Sequence, residues 1–241
     1  MNQQWDWGVF LRTYSGKDTY GQWLLSAWSW TLAVSGAALV LALALGVLVG
    51  VARTTPVKAL RVAGDAWTEL FRNVPLLVQV FVWYHVVPAI LPSFQRVSSF
   101  WLVVLALALY TSARVSEQIR AGIESLPRGQ RNAALALGLT QVQTYHHVLL
   151  PMALRIVIPP LTSESMNIVK NSSIAFAVSI PELTMFAMQA QEETSRGVEI
   201  YLAVTAAYFV SAFAVNRVAA VIERRLRVPG MSGTQAEGRT R

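Results

Sequence analysis

Residues 19–52 form a run of 34 without a single Asp, Glu, Lys or Arg. As an α-helix such a run extends about 50 Å, longer than the roughly 30 Å hydrocarbon core of a bilayer. Hydrocarbon offers the backbone no hydrogen-bond partner, so the run must satisfy itself as a helix. Further runs that lack these four residue types include 73–95, 97–113 and 200–216. Each reaches or approaches the ~20 residues that a crossing needs. Across the 241 residues 54% are hydrophobic and 14% charged, where a soluble domain carries about 25% charged residues. The fold class is therefore an all-α membrane protein of several spans. Cysteine is absent, which excludes disulfides and thiolate metal sites. The first run is too long for a signal-peptide core and has no basic stretch before it, so it is expected to stay as a span.

Taken in order, the chain predicts five transmembrane helices over about 23–51, 73–91, 99–119, 152–180 and 200–221. Residues 1–22, with Trp5, Trp7, Tyr14 and Tyr20, suit an interfacial segment. Gly36, Gly46 and Gly50 allow close helix approach in the first span. An amphipathic stretch over 61–72 leads into the second span, which Pro88 and Pro92 are expected to end. The fourth span holds Pro159, Pro160, Glu164 and Lys170, and a loop with Glu182, Glu192, Glu193 and Glu199 follows it. The whole chain, 1–241, reads as a single transmembrane domain with its core over 23–227 and a disordered polar tail over 228–241. Fifteen Lys and Arg fall on the side reached after spans one, three and five, and four on the other, with Lys170 inside the membrane. By the positive-inside rule the N-terminus is outside and the C-terminus inside. That distribution accounts for the net charge of +7 without invoking nucleic acid. No internal repeat is present, and five helices enclose little space, so a two-fold-related second subunit is expected to complete a pathway.

Between the third and fourth spans lies a moderately polar island, 132–151. It reads as a short helix, a glycine break at Gly138, a second short helix and a proline at the start of the next apolar segment. Asn132-Ala133-Ala134, Gly138, Val148, Leu150 and Pro151 follow a fixed spacing. This spacing resembles the cytoplasmic loop of bacterial ATP-binding-cassette (ABC) importer permeases, Glu-Ala-Ala-x3-Gly-x9-Ile-x-Leu-Pro, with Asn132 where the pattern has Glu. The segment Glu69-Leu70-Phe71-Arg72-Asn73-Val74-Pro75-Leu76-Leu77-Val78-Gln79 is similar to one found in polar amino-acid permeases, as are Arg120-Ala121-Gly122-Ile123 and Lys170-Asn171-Ser172-Ser173. The resemblance covers about 25–227 and is closest to the glutamate/aspartate importer permeases.

The resemblance implies the MetI-like binding-protein-dependent permease fold in the bacterial inner (cytoplasmic) membrane. It implies a separate ABC ATPase dimer that carries the ATP and Mg, leaving this chain without a cofactor. It also implies a second permease subunit, either another copy or a similar chain, and a periplasmic or lipid-anchored solute-binding protein. The substrate class it implies is polar, acidic amino acids. Asn132, Ala133, Ala134, Leu135, Leu137, Gly138 and Leu139 would then form the ATPase-coupling surface. Small Ala133, Ala134 and Gly138 would permit close backbone approach, and the three leucines would supply contact. The alternative is an amphipathic helix resting on the membrane surface.

At about 100° per residue, Ser163, Glu164, Asn167, Lys170 and Asn171 share one stripe of the fourth span. Charges at that depth cost about 2.5–3.5 kcal/mol each and should face protein or water. Either the stripe lines a solute route, with Lys170 meeting a substrate carboxylate, or Lys170 and Glu164 satisfy each other, helix ends near Pro159-Pro160, or a partner subunit. Arg114 near the end of the third span suits a bidentate carboxylate grip; alternatively it snorkels to headgroups or pairs with Glu117 three residues on. Glu69 and Arg72 read as a structural pair, and adjacent His146 and His147 as loop surface. No phosphate-binding Gly-x4-Gly-Lys-Ser/Thr loop exists in the chain, and no catalytic or metal-binding set is identifiable. The competing function is an ion-gradient-driven secondary carrier using Glu164 and Lys170 as its coupling pair, which would require inverted repeats.

Overall fold

The computed structural model describes residues 5–226. The tail over 228–241, with Arg227, Arg239 and Arg241 of the charge count, lies outside the described residues. A short 3-10 turn (Trp7–Leu11) and a two-stranded hairpin (β1, Thr13–Ser15; β2, Asp18–Thr19) precede eight helices. These are α1 (Tyr20–Ala52), α2 (Lys58–Asn73), α3 (Leu76–Ile90), α4 (Ser99–Glu124), α5 (Arg128–Ala136), α6 (Gln141–Val178), α7 (Leu183–Thr194) and α8 (Gly197–Leu226). Helices α1, α4 and α8 are each long and apolar enough to cross a membrane, and two bent pairs, α2 with α3 and α6 with α7, bring the candidate spans to five.

Helix α4 is the central one: 67% of its apolar stretch is buried, against 28% for α1 and for α8. It lies along α1, and the small residues of α1 make that contact close. A Cβ placed at Gly50 would come within 2.7 Å of Ile119 Cβ and 2.9 Å of the Ser116 carbonyl, and one at Gly46 would meet Val115 and the Ser112 carbonyl at 3.0 Å. Gly36, expected to serve the same purpose, has open space beside it. Farther along, Gly122 of α4 lies against Val157 of α6. Three apolar clusters stack in order along α1. Tyr20 and Ala27 pack with α7 and α8; Val34, Ala38 and Ala42 with α3, α4 and α6; Leu43, Val47 and Val51 with the far ends of α4 and α6.

Several expected boundaries move, each for a physical reason. The second span begins at Leu76, because α2 and α3 meet at 102° with Pro75 at the corner. Gln79 closes that corner: its side-chain amide donates to the carbonyls of Phe71 (2.8 Å) and Val74 (2.9 Å), which the turn deprives of helical donors. Pro88 does not end the span. A wide π turn over Val82–Val86 precedes it, opening the spiral ahead of the ring, and the helix runs on to Ile90. The same device recurs in α6, where the π turn Tyr145–Leu149 precedes Pro151.

Pro159 and Pro160 do not break α6 either; the helix is continuous through them. The expected loop over 181–199 is instead largely helix α7, bent 55° from α6. Glu182 caps it, accepting from the backbone N–H groups of Thr184 (2.9 Å) and Met185 (3.0 Å), while the Tyr208 hydroxyl donates to its other oxygen at 2.7 Å. The apolar face of α7, Leu183, Phe186, Ala187 and Ala190, is buried against α1 and α8.

Candidate functional site

The 132–151 loop folds as two helices joined at a sharp, self-capped corner. Helix α5 ends at Ala136, and two residues on stands Gly138, whose φ of +85° lies in the left-handed region. There the Gly138 N–H donates to the Leu135 carbonyl (3.0 Å) and the Leu139 N–H to the Ala134 carbonyl (3.2 Å), the paired pattern that seals a helix C-terminus on glycine. Nothing lies within 4 Å of where a Gly138 Cβ would be. Within this chain Gly138 serves backbone conformation, and the space beside it stays open. The next helix opens immediately with a reciprocal cap. The Gln143 N–H donates to Thr140 Oγ1 (3.3 Å) and the Thr140 N–H to Gln143 Oε1 (2.8 Å).

What this corner presents is apolar and uncovered. Leu137 is 84% exposed and Val142 77%, with Leu135, Asn132 and Ala133 also exposed, while Ala134 is buried and Leu139 half-buried. Tyr145 anchors the far side: its hydroxyl donates to the Thr54 carbonyl at 2.7 Å, fastening the start of α6 to the α1–α2 turn. Pro151 stands at the entry to the span, as expected, and the second short helix runs through the π turn directly into it. His146 and His147 are exposed, as the sequence indicates.

The polar stripe of α6 divides. Ser163 and Lys170 are exposed, Asn167 and Asn171 half-buried, and Glu164 is buried. Glu164 reaches across to α4 and grips Arg114 with both oxygens, Nε–Oε2 at 2.7 Å and Nη2–Oε1 at 3.1 Å. The Glu164–Lys170 pairing considered from the sequence is not formed, and with it goes the charge pair on which an ion-driven carrier reading rested. Nor does Arg114 pair with Glu117. Glu117 accepts from Arg53 (2.8 Å) and lies 3.9 Å from Arg72, so Arg72 turns toward Glu117 rather than Glu69. Lys170 takes part in no ion pair among the described residues. Half-exposed Tyr110, Arg114, Glu117 and Gln118 form a matching polar face on α4.

Sequence reasoning missed the hub at the end of α1. Arg53, 7% exposed, donates to Asp65 of α2 (2.7 Å) and to Ser116 (3.2 Å) and Glu117 (2.8 Å) of α4. Trp67 and Thr68 of α2 add contacts to Ser112 (3.1 Å) and Ser116 (3.3 Å). The available signal was an arginine closing a long uncharged run, with carboxylates in both neighbouring amphipathic segments.

Comparison with known proteins bears on this arrangement. Residues 26–228 match the family model described as the binding-protein-dependent transport system inner membrane component. The glutamate/aspartate import permease protein GltJ of Escherichia coli K12 is 42% identical, over 97% of this chain and 99% of its own length. The probable glutamine ABC transporter permease protein GlnM of Bacillus subtilis 168 is 39% identical over 81% of this chain and 89% of its own. A crystal structure of an amino acid ABC transporter with histidines superposes with a TM-score of 0.74 at 29% identity, covering 86% of this chain and 95% of that one. An inward-facing structure of the MetNI methionine ABC transporter shares the fold, with a TM-score of 0.74 at 20% identity over 86% of this chain and 97% of that one.

Proposed function

The chain belongs to the binding-protein-dependent transport system inner membrane component family, and from that premise we propose that it imports acidic amino acids, glutamate or aspartate, under power from a separate ATPase. In this reading the N-terminus lies outside, the C-terminus and the 132–151 corner inside, and ATP and Mg reside on the ATPase dimer. Leu135, Leu137 and the neighbouring Ala133 enter that dimer's surface. A second permease, of the same or a similar kind, covers the polar faces of α4 and α6, and a solute-binding protein delivers cargo from the opposite side.

One observation carries the proposal: a rigidly capped corner that leaves Leu137 almost fully exposed beside Leu135 and Val142. Exposed leucines on a corner capped from both sides are the mark of a docking surface prepared in advance. The exposed Lys170, with Asn167 beside it, gives a carboxylate-bearing solute a cationic partner between the two permeases. The acidic cargo is supported by the likeness to GltJ.

Reconstitution with the ATPase and binding protein in vesicles tests the reading. Glutamate uptake should require ATP and stop with vanadate. Leu137→Asp should release the ATPase during purification, and Lys170→Gln should raise the glutamate concentration needed for half-maximal uptake. Vanadate-resistant uptake, or an ATPase that stays bound to the Leu137→Asp chain, would refute the coupling arrangement.

A further inference from the structure

A cavity of about 710 Å³ opens between α2, the end of α4 and the α5–α6 corner. Six cations line it, Arg53, Lys58, Arg61, Arg120, Arg128 and Arg131, against two carboxylates, Asp65 and Glu124. Those carboxylates are engaged by two of the six: Asp65 with Arg53 (2.7 Å) and Arg120 (3.3 Å), Glu124 with Arg120 (2.9 Å). Lys58, Arg61, Arg128 and Arg131 take part in no ion pair among the described residues, although Arg131 donates to the Gln141 amide oxygen at 3.3 Å. Four uncompensated cations around one concavity repel one another unless an anion sits among them. The inner wall, with Ile123, Leu126, Tyr145 and Leu149, is apolar and buried.

The cavity's position narrows the choice of anion. Helix α2 turns 102° from α3, so with α3 crossing the bilayer α2 runs along its surface. Leu60 and Leu70 of α2 are exposed, as in a helix resting at the headgroup boundary. Lys58 and Arg61 on that same helix open into the cavity. We propose that the cavity binds the phosphate of an anionic phospholipid headgroup, with Lys58, Arg61, Arg128 and Arg131 as its ligands. Guanidinium forks match phosphate oxygens in pairs, and basic pockets between membrane helices favour such headgroups. The site depends on the chain's place in the membrane and not on which solute it carries.

The test uses the intact transporter assembly in nanodiscs of phosphatidylcholine with and without phosphatidylglycerol, with retained lipids counted by native mass spectrometry. The unaltered chain should hold phosphatidylglycerol through extraction. Changing Lys58, Arg61, Arg128 and Arg131 together to Gln should weaken that retention at least about tenfold. Should that variant fail to assemble, Lys58→Gln with Arg128→Gln alters only exposed side chains and should still lower retention. Equal retention by wild type and the double variant would overturn the proposal. So would displacement of the lipid by millimolar inorganic phosphate, which would mark a free-anion site, or cross-links showing that the ATPase fills the cavity while lipid retention stays unchanged.

Discussion

Arg114→Gln and Glu164→Gln remove the same ion pair, yet the structure makes them unequal. The Glu164 side chain is 7% exposed and that of Arg114 42%. Removing the guanidinium strands a carboxylate sealed between α6 and α4. Stranding a fully buried charge costs about 3–5 kcal/mol, and allowing for the partly wet arginine side brings the expectation to about 2–4 kcal/mol. Removing the carboxylate leaves a guanidinium that can turn outward on its long stem, at a cost of about 1 kcal/mol. The double change to Gln at both positions leaves no orphan charge and should cost less than the two single changes added together, by about 1–3 kcal/mol. Thermal unfolding of the purified assembly, followed by tryptophan fluorescence, reads these differences. At about 2–4 °C per kcal/mol for a chain of this size, Arg114→Gln should lower the midpoint by about 5–15 °C and Glu164→Gln by about 2–4 °C. Equal shifts, the reverse order, or strict additivity in the double variant would refute the reasoning.

Further predictions follow from the corners and contacts. Gly138→Ala forces a side chain into φ +85° at a cost of about 1–2 kcal/mol, and should reduce ATP-driven uptake while leaving the amount of chain in the membrane unchanged; uptake equal to wild type would show that the corner tolerates another shape. Gln79→Leu removes the two donors that hold the α2–α3 bend and should destabilise by about 2–3 kcal/mol, read as a lower unfolding midpoint. Gly50→Leu drives a side chain into Ile119 and the Ser116 carbonyl, whereas Gly36→Leu enters open space. Quantitative immunoblotting of membranes should find the first chain depleted and the second at normal levels, and equal levels would dispose of the proposed close contact.

The helices that cross alone were legible in the sequence because length and lack of charge suffice to define them; α1 and α4 lie within a few residues of their expected bounds. The second span closes at Ile90, one residue from its expected end; the boundaries that shift are its start, where Pro75 turns the chain, and the segment after residue 180. Pro88 and Pro151 each follow a π turn that widens the helix ahead of the ring, a relation of backbone geometry that residue spacing does not announce. Helix α7 was within reach. Leu183, Phe186, Ala187 and Ala190 recur at helical spacing behind a capping Glu182, but the later Glu192, Glu193 and Glu199 drew the segment toward a loop. In the candidate site, the fixed spacing of Ala133, Ala134 and Gly138 placed the corner correctly, while the task of Gly138 emerged only from its φ. Arg114 had several carboxylates in range, and the choice of Glu164 depends on how α6 is rotated against α4, which no single helix records.

The continuity of α6 has a mechanical consequence. Gln141, beside the capped corner, and Asn167, on the polar stripe, belong to one unbroken helix, about 39 Å apart along its axis. Between them Val157 is wedged against Gly122 of α4, about 24 Å from one and 15 Å from the other. A beam resting on a fulcrum swings its two arms in opposite directions, and here the longer arm is the one at the corner. Were the helix to rock rigidly on that contact, a sideways displacement at Gln141 would reach Asn167 reversed and reduced to roughly two thirds, trading stroke for force.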